Sequence, residues 1–211
     1  MTAASPHHPA SARRRPRQNR SAANVDSIVA ATALLLIDTP PSDLTARMIG
    51  KSANVSPATV YRYFSDVDHV VDAVVVEHAQ VVTAAISQAL ATSRHRSVAG
   101  VFQLVVDTHL RLYASRPDLT TTWMSDELSE RRRKIEVESD RSLSRQVGQH
   151  LVDRGLISEL TNTEVRLLDA HWVTAGALLG MVLAANQTDR AILIDELRRL
   201  VAHFAARYAA A

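Results

Sequence analysis

Between Thr45 and Tyr63 the chain gathers hydroxyls, phenols and cations in a pattern suited to gripping phosphates and reading bases. Thr45, Ser56, Thr59, Tyr61 and Tyr63 each carry an O–H, and Arg47, Lys51 and Arg62 carry positive charge. Phosphate oxygens accept such hydrogen bonds whatever the base sequence, whereas a guanidinium forks onto O6 and N7 of guanine. Arg62 is therefore the candidate base reader, with a phosphate contact as the alternative. Thr45, Tyr61 and Tyr63 are candidate phosphate donors. Apolar Met48, Ile49, Ala53, Val55, Val60 and Phe64 suit an inward face, which leaves Ser56, Pro57, Ala58 and Thr59 near the groove or backbone. No nucleophile elbow, zincin helix, P-loop or dinucleotide fingerprint accompanies these residues, so no enzymatic activity is expected.

Such residues read a duplex only when short, rigid elements hold them. Thr45 suits the N-cap of a helix reaching about residue 53, and Asn54 tolerates the left-handed backbone of a tight turn. Ser56 suits the next N-cap and Pro57 the first helical position, where a missing N–H costs nothing. The second of these helices ends near Phe64, so the pair reads as a helix-turn-helix. Upstream, Val25, Ile28, Val29, Thr32 and Leu36 keep helical spacing over about 19–38, until Thr39-Pro40-Pro41 stops the helix. Downstream, Ser65 and Asp68 form a capping-box-like pair for a helix running to about Leu90. Further helices are expected near 97–115, 118–124, 126–153, 162–186 and 189–209. Gly155 suits a C-cap, Thr161 and Glu164 a capping box, and Asp189 a cap on the last helix. The expected fold is all-α, with about nine helices.

The run Thr45-x-Arg47-x-Ile49, followed by Val55-Ser56 and Thr59-Val60-Tyr61-Arg62-Tyr63-Phe64, resembles the N-terminal domain of the TetR family of bacterial transcriptional regulators. The motif covers roughly residues 25–75; beyond it only length and helical pattern agree. The resemblance implies a three-helix DNA-binding domain over 20–66, preceded by a disordered basic arm over 1–19. A helical effector-binding and dimerisation domain would span 67–211. One departure stands out: family members often carry a phosphate-binding Lys where this chain has Val67, flanked by Asp66 and Asp68. Arg47, Lys51 or the arm is then expected to supply the missing charge.

Charge agrees with that division. Residues 1–66 hold eight Arg/Lys against four Asp/Glu, and the remainder sixteen against eighteen. Positive charge thus sits with the expected duplex reader, where phosphate attraction needs it. The absence of cysteine fits a reducing cytoplasm. The basic run near residue 13 is not followed by the apolar core of a signal peptide. The most apolar run, 173–185, is shorter than the roughly 20 residues a bilayer needs.

In the C-terminal part, Val165, Leu168, Trp172, Ala175, Leu179 and Val182 alternate spacings of three and four, a bundle seam. Gly176 and Gly180 permit close helix approach, and Leu197, Leu200 and Phe204 mark a stripe on the last helix. These residues are the expected dimer interface, a four-helix bundle across a two-fold axis. Thr108, His109, Tyr113, Trp123, Met124, His171 and Trp172 interrupt apolar stripes and are candidates to line a small-molecule cavity, as the resemblance implies. No His pair has metal-ligand spacing, and no cofactor is expected. The basic run at 131–134 sits among i, i+4 acidic partners and reads as a solvated helix face. The expectation is a homodimeric repressor released from a palindromic operator by a small molecule. A regulator without effector, or an activator, is the alternative.

Overall fold

The computed structural model describes residues 15–116, 118 and 130–209, and all regular structure among them is helical. The helices are α1 (Arg15–Leu35), α2 (Ala46–Ser52), α3 (Pro57–Tyr63), α4 (Val67–Ala91), α5 (Val98–Ser115), α6 (Glu130–Asp153), α7 (Asn162–Ala184) and α8 (Gln187–Ala209). A single 3-10 turn at Pro41–Asp43 follows the Thr39-Pro40-Pro41 break. The helix expected at 118–124, most of the basic arm, and candidates Trp123 and Met124 lie outside the described residues.

Local chemistry fixes most ends. Thr45 caps α2 by accepting from the Met48 N–H, and Ser56 caps α3 by accepting from that of Thr59, with Pro57 at the first position. Thr161 and Glu164 form the reciprocal capping box of α7. Gly155 ends α6 at φ +63, with its N–H bonded to the Val152 carbonyl and that of Leu156 to the Leu151 carbonyl. Three ends differ from the sequence reading. The α4 cap is Asp66, which accepts from the His69 N–H, not Ser65. The α8 cap is Asn186, which accepts from the N–H groups of Thr188 and Asp189. Helix α1 begins at Arg15, so residues 15–19 of the expected disordered arm are helical. Pro16 sits in the first turn, where it is tolerated, and Arg and Gln favour helix.

Two small clusters hold the N-terminal helices together. Ile28, Ala31, Ala46, Ile49, Ala53, Val60 and Val70 form one; Val29, Ala33, Leu36, Leu44, Val71 and Val74 form the other. The large core joins the later helices through residues such as Ile86, Phe102, Val147, Leu168, Trp172 and Leu197. Helix α4 contributes to both regions, with Val70, Val71 and Val74 at one end and Ile86 and Leu90 at the other. It is the strut between them.

By length and composition alone, α4 and α7 are apolar enough to cross a membrane. Here Val70, Val71, Val74, Ile86 and Leu90 of α4, and Leu168, Trp172, Leu179 and Val182 of α7, are buried in the protein itself.

Candidate functional site

The turn between α2 and α3 is set by close backbone approach. Asn54 takes the left-handed conformation at φ 55, and the Val55 N–H bonds back to the Gly50 carbonyl at 2.8 Å. A side chain at Gly50 would place its Cβ 2.8 Å from the Val55 carbonyl oxygen. Only glycine fits there, a requirement the sequence reading passed over.

Val60 is buried under α3, while Ser56, Pro57, Ala58, Tyr61 and Arg62 are exposed and Thr59 is half-buried. Thr45, Arg47 and Lys51 are exposed on the adjoining helix α2 and its cap. Tyr63 is more tightly held. Its hydroxyl lies 3.3 Å from Ser21 Oγ and from Asn24 Nδ2, both on α1, and 3.1 Å from the Arg62 guanidinium. The same guanidinium sits 4.8 Å from the Tyr63 ring centroid, a cation–π distance. Hydrogen bonds from Ser21 and Asn24, then Arg62, hold the Tyr63 phenol below its usual pKa. Recognition helix and α1 are thereby tied, and Arg62 rests on an aromatic platform at the exposed face.

The acidic start of α4 has an internal explanation. Asp66 caps the helix, and hydrogen bonds from His69 hold its carboxyl below the usual range. Asp68 and Asp72 both accept from Arg132 of α6, at 2.8 and 3.0 Å. Arg132 is only 3% exposed, which corrects the solvated reading of the basic run at this residue. Helical periodicity turns Arg132 inward, where it meets two carboxylates.

A cavity of about 80 Å³ is lined from α4, α5, α6, α7 and α8. Of the candidates, His109, Tyr113 and Trp172 line it. Thr108 and His171 do not. The Thr108 hydroxyl bonds the Leu104 carbonyl, and His171 stacks on Phe204 at 4.1 Å and bonds the Tyr208 hydroxyl. The sequence reading missed His78, Thr83, Ser139 and Asp140 on the same wall. A lone His in a valine-rich stretch and an Asp on a helix gave no signal of convergence. His78 Nε2 lies 3.0 Å from the Tyr113 hydroxyl, and burial drops its pKa to about 4. Burial also lowers that of His109, whose Nδ1–H donates to the Val105 carbonyl. Both imidazoles are neutral at physiological pH. An open groove of about 780 Å³ between α4 and α6 shares Ala79, Thr83 and Ser139 with the cavity.

The expected dimer seam divides. Leu168, Trp172, Leu179 and Leu197 are buried within the chain itself. A three-four spacing marks a packed face without saying which chain packs on it. Val165, Gly176, Gly180, Leu200 and Phe204 are half-buried, with Gly176 on the cavity wall. Val173 and Met181 of α7 are 51% and 58% exposed, and Ile192 of α8 is 67% exposed.

Residues 28–74 match the family model described as "Bacterial regulatory proteins, tetR family". A sequence search of curated proteins finds no match. Similar solved structures include a TetR-family transcriptional regulator from Streptomyces coelicolor, with TM-score 0.66 and 17% identity, covering 88% of this chain and 99% of that one. The fatty acid degradation regulator FadR from Bacillus halodurans has TM-score 0.66 and 17% identity, with coverage of 84% and 97%. The transcriptional regulator FadR from Bacillus subtilis in complex with stearoyl-CoA has TM-score 0.64 and 15% identity, with coverage of 86% and 97%. The chain therefore carries the helix-turn-helix domain of the TetR family of bacterial regulators, set on the all-α fold of that family's solved members.

Proposed function

We propose that the protein is a homodimeric, cytoplasmic transcriptional repressor, not an enzyme, that leaves a palindromic operator when a small molecule enters its core. The observation that carries the DNA reading is the exposed α3 face. Its apolar side is sealed by Val60, while Arg62, Tyr61 and the Ser56 cap face outward beside Arg47 and Lys51. Those cations supply the charge that the acidic start of α4 lacks. Arg62→Ala is expected to weaken specific operator binding by about 1–3 kcal/mol and relax base preference at one position. Titration against sequences selected from random DNA measures both. An equal loss on all sequences places Arg62 on phosphate instead.

A dimer follows from the geometry of the target, since two recognition helices about 34–36 Å apart read two half-sites of a palindrome. Val173, Ala177 and Met181 form an i, i+4, i+8 stripe of exposed apolar residues on α7, and this is the face we assign to the partner. Met181→Glu should convert the dimer to monomer in sedimentation velocity and abolish cooperative operator binding. An unchanged sedimentation coefficient refutes this face.

The effector reading rests on the cavity and its groove. The cavity volume of about 80 Å³ is below the roughly 300–1,000 Å³ of a formed ligand site, so a ligand must part α4 from α6 along the groove. Helix α4 also carries Val70, Val71 and Val74 of the DNA-binding cores. Parting it from α6 therefore moves the recognition helix as well, and ligand and operator compete through their preferences for two states. A core that stays closed in the presence of every small molecule tried favours the regulator without effector.

A further inference from the structure

We infer that the cavity selects a protonated organic amine with an apolar body, its ammonium held at Asp140 in the field of the neighbouring Asp169; this rests on the ligand-responsive reading above. Asp140 stands half-buried on the cavity wall, and no hydrogen bond or ion pair engages it among the described residues. Asp169 lies close enough for its charge to be felt there, and its Oδ1 is buried without a hydrogen-bond partner. Burial, then the charge of Asp169, pushes the Asp140 carboxyl up to about 6. A half-buried carboxylate beside a second one, with no cation paired to it among the described residues, is costly, and a positively charged partner in the cavity relieves both desolvation and repulsion.

The rest of the wall points the same way. Among the described residues no Lys or Arg lines the cavity, and its two imidazoles are kept neutral, so no cationic side chain there awaits an anion. The groove outside carries Glu138 and Lys134, one of each sign, and does not reverse this. Val75, Val82, Val106 and Leu143 supply apolar contact. Trp172, 6% exposed on the same wall, has its Nε1–H buried without an acceptor among the described residues. A hydrogen-bond acceptor on the ligand's body would satisfy it. Trp172 and Tyr113 also bring aromatic rings to the wall, and a ring face attracts ammonium and not carboxylate.

Calorimetry of the full chain with three near-isosteric probes tests this: 3-(hexyloxy)propylamine, the corresponding alcohol and the corresponding acid, at pH 7.5. The amine is expected to bind at least tenfold tighter than the alcohol, and the acid more weakly than either. Asp140→Asn and Asp169→Asn should each bring the amine-to-alcohol ratio towards unity while leaving the alcohol's affinity in place. Retained alcohol binding shows that the variants keep the folded cavity. Equal binding of amine and alcohol to the unmodified protein, or an unchanged ratio in both variants, overturns the assignment and leaves ligand sensing intact. Failure of all three probes to bind removes the ligand-responsive reading as well.

Discussion

Replacing Arg132 with methionine is expected to lower the unfolding free energy by about 3–5 kcal/mol, the usual cost of removing one partner from a buried ion pair. Arg132 is 3% exposed and Asp72 7% exposed, with Nε donating to Asp72 Oδ1 at 3.0 Å. Methionine roughly preserves volume, so the loss reports charge and hydrogen bonding more than a void. The Asp68 contact adds little, because its side chain is 81% exposed and water screens the pair. Urea denaturation gives the number. The double variant Arg132→Met, Asp72→Leu should recover most of the loss, since a buried pair exchanged for apolar residues of similar size is often neutral or stabilising. An additive double variant would mean that the two residues do not act as a pair. The position gives the result wider meaning, because the pair ties α6 to α4 between the DNA-binding cores and the cavity. Of the acidic start of α4, which departs from the family pattern, Asp66 caps the helix and Asp68 reaches Arg132 of α6.

What the sequence disclosed and what it hid follow one division. The helix-turn-helix was legible because caps, a proline at the first position and a left-handed asparagine are rules between near neighbours. The errors at Ser65 and Asp189 were shifts between adjacent polar residues able to do the same work. Features set by distant contacts were not legible. Arg132 has Glu136 four residues on to satisfy its charge on paper, and only the packing of α6 on α4 turns it inward. Leu168, Trp172 and Leu179 have the spacing of a dimer seam, but periodicity does not distinguish a neighbour in the same chain from one in another. His78 and Asp140 share a wall only because α4 and α6 are juxtaposed, though 62 positions separate them in the chain.

Gly50→Ala carries the second large effect, and it separates the fold of the reader from its chemistry. The added Cβ would lie 2.8 Å from the Val55 carbonyl oxygen and 3.3 Å from both Pro57 N and Ser56 C. All three are backbone atoms, so no side chain can swing away; the turn must widen and carry the start of α3 with it. Overpacking of this kind costs about 1–3 kcal/mol, and the absence of a yielding neighbour puts Gly50→Ala near about 3. Widening also lengthens the 2.8 Å bond from the Val55 N–H to the Gly50 carbonyl. The operator should suffer beyond the loss of stability, because base reading depends on α3 standing at a fixed angle to α2. Titration at a temperature where the variant remains folded should show at least tenfold weaker specific binding, while non-specific binding through Arg47 and Lys51 persists with its salt dependence. Asn54→Gly, which keeps the left-handed conformation at φ 55, should leave specific binding within about twofold, since glycine adopts that conformation without strain. If Gly50→Ala binds the operator as tightly as the unmodified protein, then close approach of the two backbones is not what sets the recognition angle.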